Sequence, residues 1–305
     1  MRICVYGAGS IGSVFGGLLS RGNEVTLVGR EWHMSTVSET GLNLTGELDG
    51  VFRPDAVESV NGLPAPDLLL ITTKSYDTDN AISACRHFVS DDTLVLTLQN
   101  GLGNLERARA WVGRRAFGGT TTLGAQLVAP GKAVVSGRGR TVIGSDLDPS
   151  GAERIAATLA EAGIPSALST NVTGEIWSKV IVNASINPIT AILGIRNGAI
   201  LENEAISDLA ASVSHEGERV AIALGIDLPF KPSSDRVMSV AAETAANRSS
   251  MLRDLELGRR TEIAQINGAI CDIGAKLGVP TPLNRALTAM VEAQELRRRG
   301  ERLIS

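Results

Sequence analysis

Lys179, Asn183 and Asn187 recur at intervals of four in a segment otherwise filled by Ile176, Val180, Ile181, Val182 and Ile186. On a helix that interval stacks the three polar side chains into one narrow stripe. A lysine and two asparagines on an apolar helix are costly without partners, so the stripe either satisfies itself structurally or faces a polar ligand. Facing a ligand in a cleft, an ionisable lysine is a candidate catalytic group. Glu175, four residues before Lys179, offers the plainer reading of an ion pair along the helix. Glu262 stands at the start of another apolar stripe, either as a partner of that helix's dipole or as a second residue of the site.

The N-terminal region carries a different chemistry. Gly7-Ala8-Gly9-Ser10-Ile11-Gly12 matches GxGxxG directly after an apolar run and at the first turn of a helix. Glycines there permit a tight turn, close backbone approach to a pyrophosphate and helix–strand packing, while the helix N-terminus supplies free N–H groups and a positive dipole. The acidic residue that holds a ribose diol at the end of the second strand is replaced here by Val28-Gly29-Arg30-Glu31. A guanidinium at Arg30 suits a 2′-phosphate, so NADP(H) is expected over NAD(H); the alternative is an ordinary surface arginine. Lys74 reads either as a second phosphate or ribose contact or as a solvated loop lysine. Asn100 either orients nicotinamide or substrate or simply makes a turn with Gly101.

Residues 2–6, 24–28, 67–72 and 93–97 read as strands, alternating with helices at 10–21, 77–88 and 102–112. That alternation predicts an α/β fold whose N-terminal part is a Rossmann-type doubly wound sheet. Glycine-rich turns at 118–119, 131 and 137–139 separate short β-branched runs, read as antiparallel strands added to the same sheet. A helix at 151–163 and a strand at 166–168 complete a dinucleotide-binding domain of residues 1–169. Strand signals then vanish, and residues 170–305 are expected to form an all-α domain for substrate and catalysis. There Ile263, Ile266, Ile270, Ile273 and Leu277 mark one helical stripe within 261–277, stopped by Gly278 and Pro280. Without a long linker, the two domains are expected to pack closely and leave a substrate cleft.

Composition narrows the function classes. The 305 residues are about twice the single-domain prior. With 43% hydrophobic and 20% charged residues, the chain has the makeup of a globular protein rather than a disordered one. Its 29 Lys and Arg against 33 Asp and Glu argue against nucleic acid as a partner, and the Arg297-Arg298-Arg299 cluster reads as a solvated helix end. Cys4, Cys85 and Cys271 are an odd, dispersed set, and His33, His87 and His215 lack metal-ligand spacing, so neither disulfides nor a metal is expected. Glycines at 7, 9, 12, 16 and 17 argue against a signal peptide, and no uninterrupted apolar run is long enough for an expected membrane span. The expectation is a cytoplasmic protein. The apolar helical faces serve either a homodimer or the domain's own core, and both readings stay open.

The segments GAGSIG at 7–12, TTKS at 72–75, QNGLG at 99–103, GGTTT at 118–122, EIWSKVIVNASINP at 175–188, NRSSMLRDLELGRRTEI at 247–263 and ING at 267–269 together resemble the ketopantoate reductase (2-dehydropantoate 2-reductase) family. The resemblance runs along nearly the whole chain. It implies NADPH-dependent reduction of 2-dehydropantoate to (R)-pantoate, in pantothenate and coenzyme A biosynthesis. By the same resemblance Lys179 is the proton donor and Glu262 its acidic partner near substrate and cofactor. Asn183, Asn187, Asn197 and Ser250 would bind substrate; Arg30, Lys74, Asn100 and Ala125 would contact the cofactor, with Asn100 also near the substrate. After Glu262-Ile263 the family commonly carries an acidic residue, whereas this chain has Ala264 and Gln265, a departure that bears on substrate identity more than on reaction type. The alternatives are a related reductase of another small 2-oxo acid and a non-catalytic NADP-sensing protein. Retention of Lys179, Asn183 and Glu262 favours an enzyme, since a sensor needs the phosphate cradle but no proton donor.

Overall fold

A computed structural model of the chain describes residues 1–298. Its described part falls into two units, one of Met1–Gln99 with Gly103–Val172, the other of Asn100–Leu102 with the chain from Thr173 onward.

In the first unit the strands are β1 (Arg2–Tyr6), β2 (Glu24–Val28), β3 (Leu42–Gly46), β4 (Gly50–Phe52), β5 (Asp55–Val57), β6 (Leu68–Ile71), β7 (Leu94–Thr97), β8 (Ala116–Thr121), β9 (Gly124–Ala129), β10 (Lys132–Gly137), β11 (Thr141–Gly144) and β12 (Ser166–Leu168). Among them run helices α1 (Ser10–Leu19), α2 (Glu31–Thr40), α3 (Thr78–Cys85), α4 (Asn104–Val112) and α5 (Pro149–Glu161). The main sheet has the order β12-β11-β8-β7-β6-β1-β2-β5. From β5 to β8 every neighbouring pair is parallel. This is the Rossmann arrangement, in which the strand order reverses beside β1 and ligands gather at the carboxyl ends of the strands. Leu68–Ile71 and Leu94–Thr97 are buried throughout, as central parallel strands covered on both faces must be.

The region 115–145 differs in part from the sequence expectation. β11 pairs antiparallel with β8 in the main sheet. β9 and β10 instead form a second sheet of order β4-β3-β10-β9. The reason lies in α1, whose Gly17 presents a bare backbone: a Cβ there would stand 2.9 Å from Leu42 and 3.4 Å from Phe52. Leu42, Leu44, Phe52, Ala133 and Val135 turn their buried sides into the same core as α1.

His33 of α2 ties these layers together. Its Nδ1 accepts the Gly131 N–H at 2.9 Å, so in the neutral ring Nε2 carries the proton and donates to Ser13 Oγ, also at 2.9 Å. Burial lowers its pKa from the ordinary 6.5, so below that pH the unfolded chain binds a proton that the folded one resists. Stability is then lost as pH falls through that range. The expected result is an acid-side fall in melting temperature that His33→Gln flattens; parallel curves for the two proteins would refute the assignment.

The second unit is helical: α6 (Val172–Leu193), α7 (Glu204–Ala223), α8 (Ser233–Glu243), α9 (Ser250–Glu256), α10 (Ala269–Leu277) and α11 (Pro282–Arg298). A π-helical turn, Ala264–Gly268, leads into α10. Trp177, Val180, Ile181 and Ala184 of α6 share a core with Val220, Leu252, Ile266, Ile270 and Val291. By length and hydropathy α6 matches a membrane span, yet 67% of its most apolar stretch is buried, which makes it the central core helix. Arg297 and Arg298 are exposed at the end of α11; Arg299 lies outside the described residues.

Candidate active site

In the first unit the turn after β1 has the form a dinucleotide requires. Gly7 adopts φ +105°, and a Cβ there would stand 2.5 Å from the Thr73 nitrogen. At Gly12 it would meet the Gly7 carbonyl oxygen and Thr72 Oγ1. Gly9 is the contrast: it is exposed, and a Cβ would find only the Gly7 oxygen, at 3.9 Å. Gly9 also caps α1 without any side-chain hydrogen bond, so no side chain at the cap position takes up the first amides of the helix. Ala8 fixes the turn through its N–H to the Val28 carbonyl at 2.9 Å. Ser10 spends its hydroxyl on the Leu127 N–H at 3.0 Å, and Ile11 packs against the core, so both side chains are engaged within the chain.

Arg30 is exposed and caps α2, with its guanidinium 6.0 Å from the Trp32 ring centre. Lys74 follows β6 and caps a short 3-10 turn, Ser75–Asp77. That loop is held by Gln99, whose Nε2 donates to Thr73 Oγ1 at 3.0 Å and Thr78 Oγ1 at 2.9 Å. Ala125, on β9, is partly buried against the core.

In the second unit Glu262 is the hub. It is buried, and one oxygen accepts the Asn100 Nδ2–H at 3.2 Å. The Asn100 loop is docked by the Leu102 N–H to the Gln265 carbonyl at 3.0 Å. Gly101, at φ +84°, comes so close to that carbonyl that a Cβ would stand 2.6 Å from it. On the other side, the buried Glu295 carboxylate accepts the Thr261 N–H at 2.7 Å. The Glu262 charge acts on Lys179 of α6: burial pushes the ammonium down to about 8, and the carboxylate opposes that fall. Glu262, which lies far from Lys179 along the chain, is thus a charge that acts on it.

Asn183 is half-buried and Asn187 buried on the same helix. Asn197 is buried; its Nδ2 donates to Thr244 Oγ1 at 2.9 Å, while its Oδ1 has no hydrogen-bond partner within the chain. A buried acceptor left open in this way fits a ligand donor. Ser250 is exposed at the first position of α9; the neighbouring Ser249 is the buried cap, with its Oγ bonded to Leu252 N–H and Thr190.

A Rossmann-type sheet with an open glycine turn, joined in one chain to a helical unit with a half-buried lysine and a buried glutamate, defines a nicotinamide-dependent oxidoreductase. The chain belongs to the ketopantoate reductase family: residues 3–147 match the family model "Ketopantoate reductase PanE/ApbA", and residues 171–295 match "Ketopantoate reductase PanE/ApbA C terminal". It is 41% identical over 300 residues to a 2-dehydropantoate 2-reductase of Pyrococcus horikoshii, covering 97% of this chain and 98% of that one. A counterpart from Archaeoglobus fulgidus is 37% identical, over 96% and 98%. Among solved structures, the PanE/ApbA family ketopantoate reductase from Ralstonia eutropha JMP134 superposes with a TM-score of 0.91 at 32% identity, over 98% and 100%. A D-mandelate dehydrogenase with NADH and anilino(oxo)acetate gives 0.92 at 28% identity, also over 98% and 100%.

Proposed function

We propose that this protein reduces 2-dehydropantoate to (R)-pantoate with NADPH, a step of pantothenate and coenzyme A biosynthesis. Residues 1–169 hold the dinucleotide and residues 170–305 hold the 2-oxo acid, with Asn100 serving both. The observation that carries the reading is the half-buried Lys179 with Glu262 acting on it and Asn100 bonded to Glu262. The open turn at Gly9, the uncapped start of α1 and the guanidinium of Arg30 fit a pyrophosphate and a 2′-phosphate.

The dinucleotide, when bound, supplies the hydride. Addition to the ketone carbon leaves negative charge on its oxygen, and Lys179 both attracts that charge and donates the proton. Glu262 holds the ammonium in position, which raises productive geometry. Asn183, Asn187, Asn197 and Ser250 orient the substrate with dipoles that add no competing strong acid. Lys74 and Ala125 contact the cofactor.

Nicotinamide-absorbance kinetics with ketopantoate, NADPH and NADH test this reading directly. NADPH oxidation with ketopantoate supports it; binding of NADPH without oxidation removes the substrate assignment. A second reading, reduction of a different 2-oxo acid, draws on Ala264 and Gln265 and on the likeness to a D-mandelate dehydrogenase. An aryl 2-oxo acid in the same assay separates the two. For the cofactor, Arg30→Glu is expected to weaken NADPH by about 10²-fold and leave NADH nearly unchanged, because the carboxylate repels a 2′-phosphate and accepts a ribose diol. Equal losses for both would remove Arg30 from the phosphate site.

A further inference from the structure

Pro188 lies inside α6, four residues after Ala184. A helical carbonyl takes its hydrogen bond from the amide four residues on, and proline has none to give. The Ala184 carbonyl is nevertheless satisfied: Asn267 Nδ2 donates to it at 2.9 Å. Asn267 is fully buried and sits in the π-helical turn that begins two residues after Glu262. Ala184 directly follows Asn183 and lies five residues after Lys179 on α6. One carboxamide thus joins the helix of the polar stripe to the turn of the acidic residue.

Asn267 is itself anchored. Its Nδ2 also donates to Asn284 Oδ1 at 3.0 Å, and Asn284 Nδ2 donates to the Val213 carbonyl at 3.2 Å and to Glu216 Oε2 at 2.8 Å. Glu216 is buried and further accepts the Leu283 and Asn284 amides, each at 3.0 Å. The chain Glu216–Asn284–Asn267–Ala184 therefore runs from α7 through the start of α11 and the π turn to α6. Its polarity fixes the carboxamide's orientation, since the reverse flip would set two oxygens against each other. Asn267 Oδ1 has no hydrogen-bond partner, a cost that an apolar residue of the same size would avoid.

We infer that Asn267 is a positioning residue: by donating to the carbonyl that Pro188 leaves unpaired, it holds Lys179 and Asn183 in register with Glu262. The inference rests on the functional reading above for its kinetic consequence, and on geometry alone for its structural one. Asn267→Leu keeps the volume, adds no charge and removes the donor. We expect kcat for the 2-oxo acid to fall about 10²-fold, because small misplacements of reacting groups carry penalties of that order, while dinucleotide affinity stays within about twofold. Lys179 can be followed without substrate: the chain has five lysines, so NMR of labelled lysine resolves its titration. That titration should move by roughly half a pH unit as the Glu262 charge shifts relative to it.

A kcat within about threefold of the parent, in a folded variant, overturns the inference, as does equal loss of turnover and dinucleotide affinity. If Asn267→Leu does not fold, Asn284→Ser removes the anchor and leaves the Ala184 bond; it must lower kcat more than dinucleotide affinity, or the inference falls. If the parent protein does not reduce ketopantoate, the functional reading fails by itself. The Lys179 titration then decides this inference, and an unmoved titration overturns it.

Discussion

Lys179→Ala is expected to bind NADPH as the parent does and to turn over ketopantoate about 10³-fold more slowly, within the range by which positioned acids accelerate proton transfer. Along the stripe Asn183 and Asn187 offer only carboxamides in its place. The parent carries its own signature. Burial sets the Lys179 ammonium at about 8. On the proposed role of Lys179, reduction requires the charged form, so kcat/KM is expected to be flat below that pH and to fall tenfold per unit above it. The variant loses the limb along with the rate. A variant that keeps the limb would show that another group donates the proton. Stopped-flow absorbance over a pH series, with dinucleotide affinity measured separately, decides the matter.

The second large effect separates two glycines of one motif. Gly9→Ala is expected to fold with nearly unchanged stability, because its φ of −86° suits any residue and its Cβ would meet almost nothing. The methyl stands where a pyrophosphate must approach backbone, so dinucleotide affinity falls about 10²-fold. Gly12→Ala behaves the other way. Its Cβ would press on the Gly7 carbonyl oxygen and on Thr72 Oγ1, which holds that same carbonyl at 2.9 Å. Overpacking of that kind costs about 1–3 kcal/mol. The contrast is read by thermal melting beside dinucleotide titration. Equal destabilisation of the two variants would contradict the distinction between an open cradle and a packed turn.

Much of this arrangement is legible in residue types. The GxGxxG turn, the apolar runs at β6 and β7 and the Lys179-Asn183-Asn187 stripe each follow from a local rule, periodicity or steric need, and each is where the sequence puts it. The second sheet is not legible, because β3, β4 and β9 are short or half-exposed, and the pairing that joins the two local hairpins, β3 with β10, brings together segments far apart along the chain. Their cue is the bare face of α1 at Gly17, which reads equally well as a loosely built helix. The π turn at Ala264–Gly268 hides within an ordinary helical stripe, since Ile263, Ile266 and Ile270 keep the spacing of an α-helix. Asn267 stood inside the ING segment without a role. A proline four residues after a buried carbonyl is the only sign that such a donor must exist, and it does not say from where.

The membership of Asn100–Leu102 in the helical unit bears on modularity. A gene fragment that starts at Thr173 would encode every helix from α7 to α11 and nearly all of α6, yet omit the carboxamide that bonds Glu262 and the amide that bonds Gln265. Such a fragment could fold around its own core and still present Glu262 without its carboxamide partner. The helical half is thus no portable cassette: grafted behind a foreign domain, it would need that domain to lend it the same three-residue excursion.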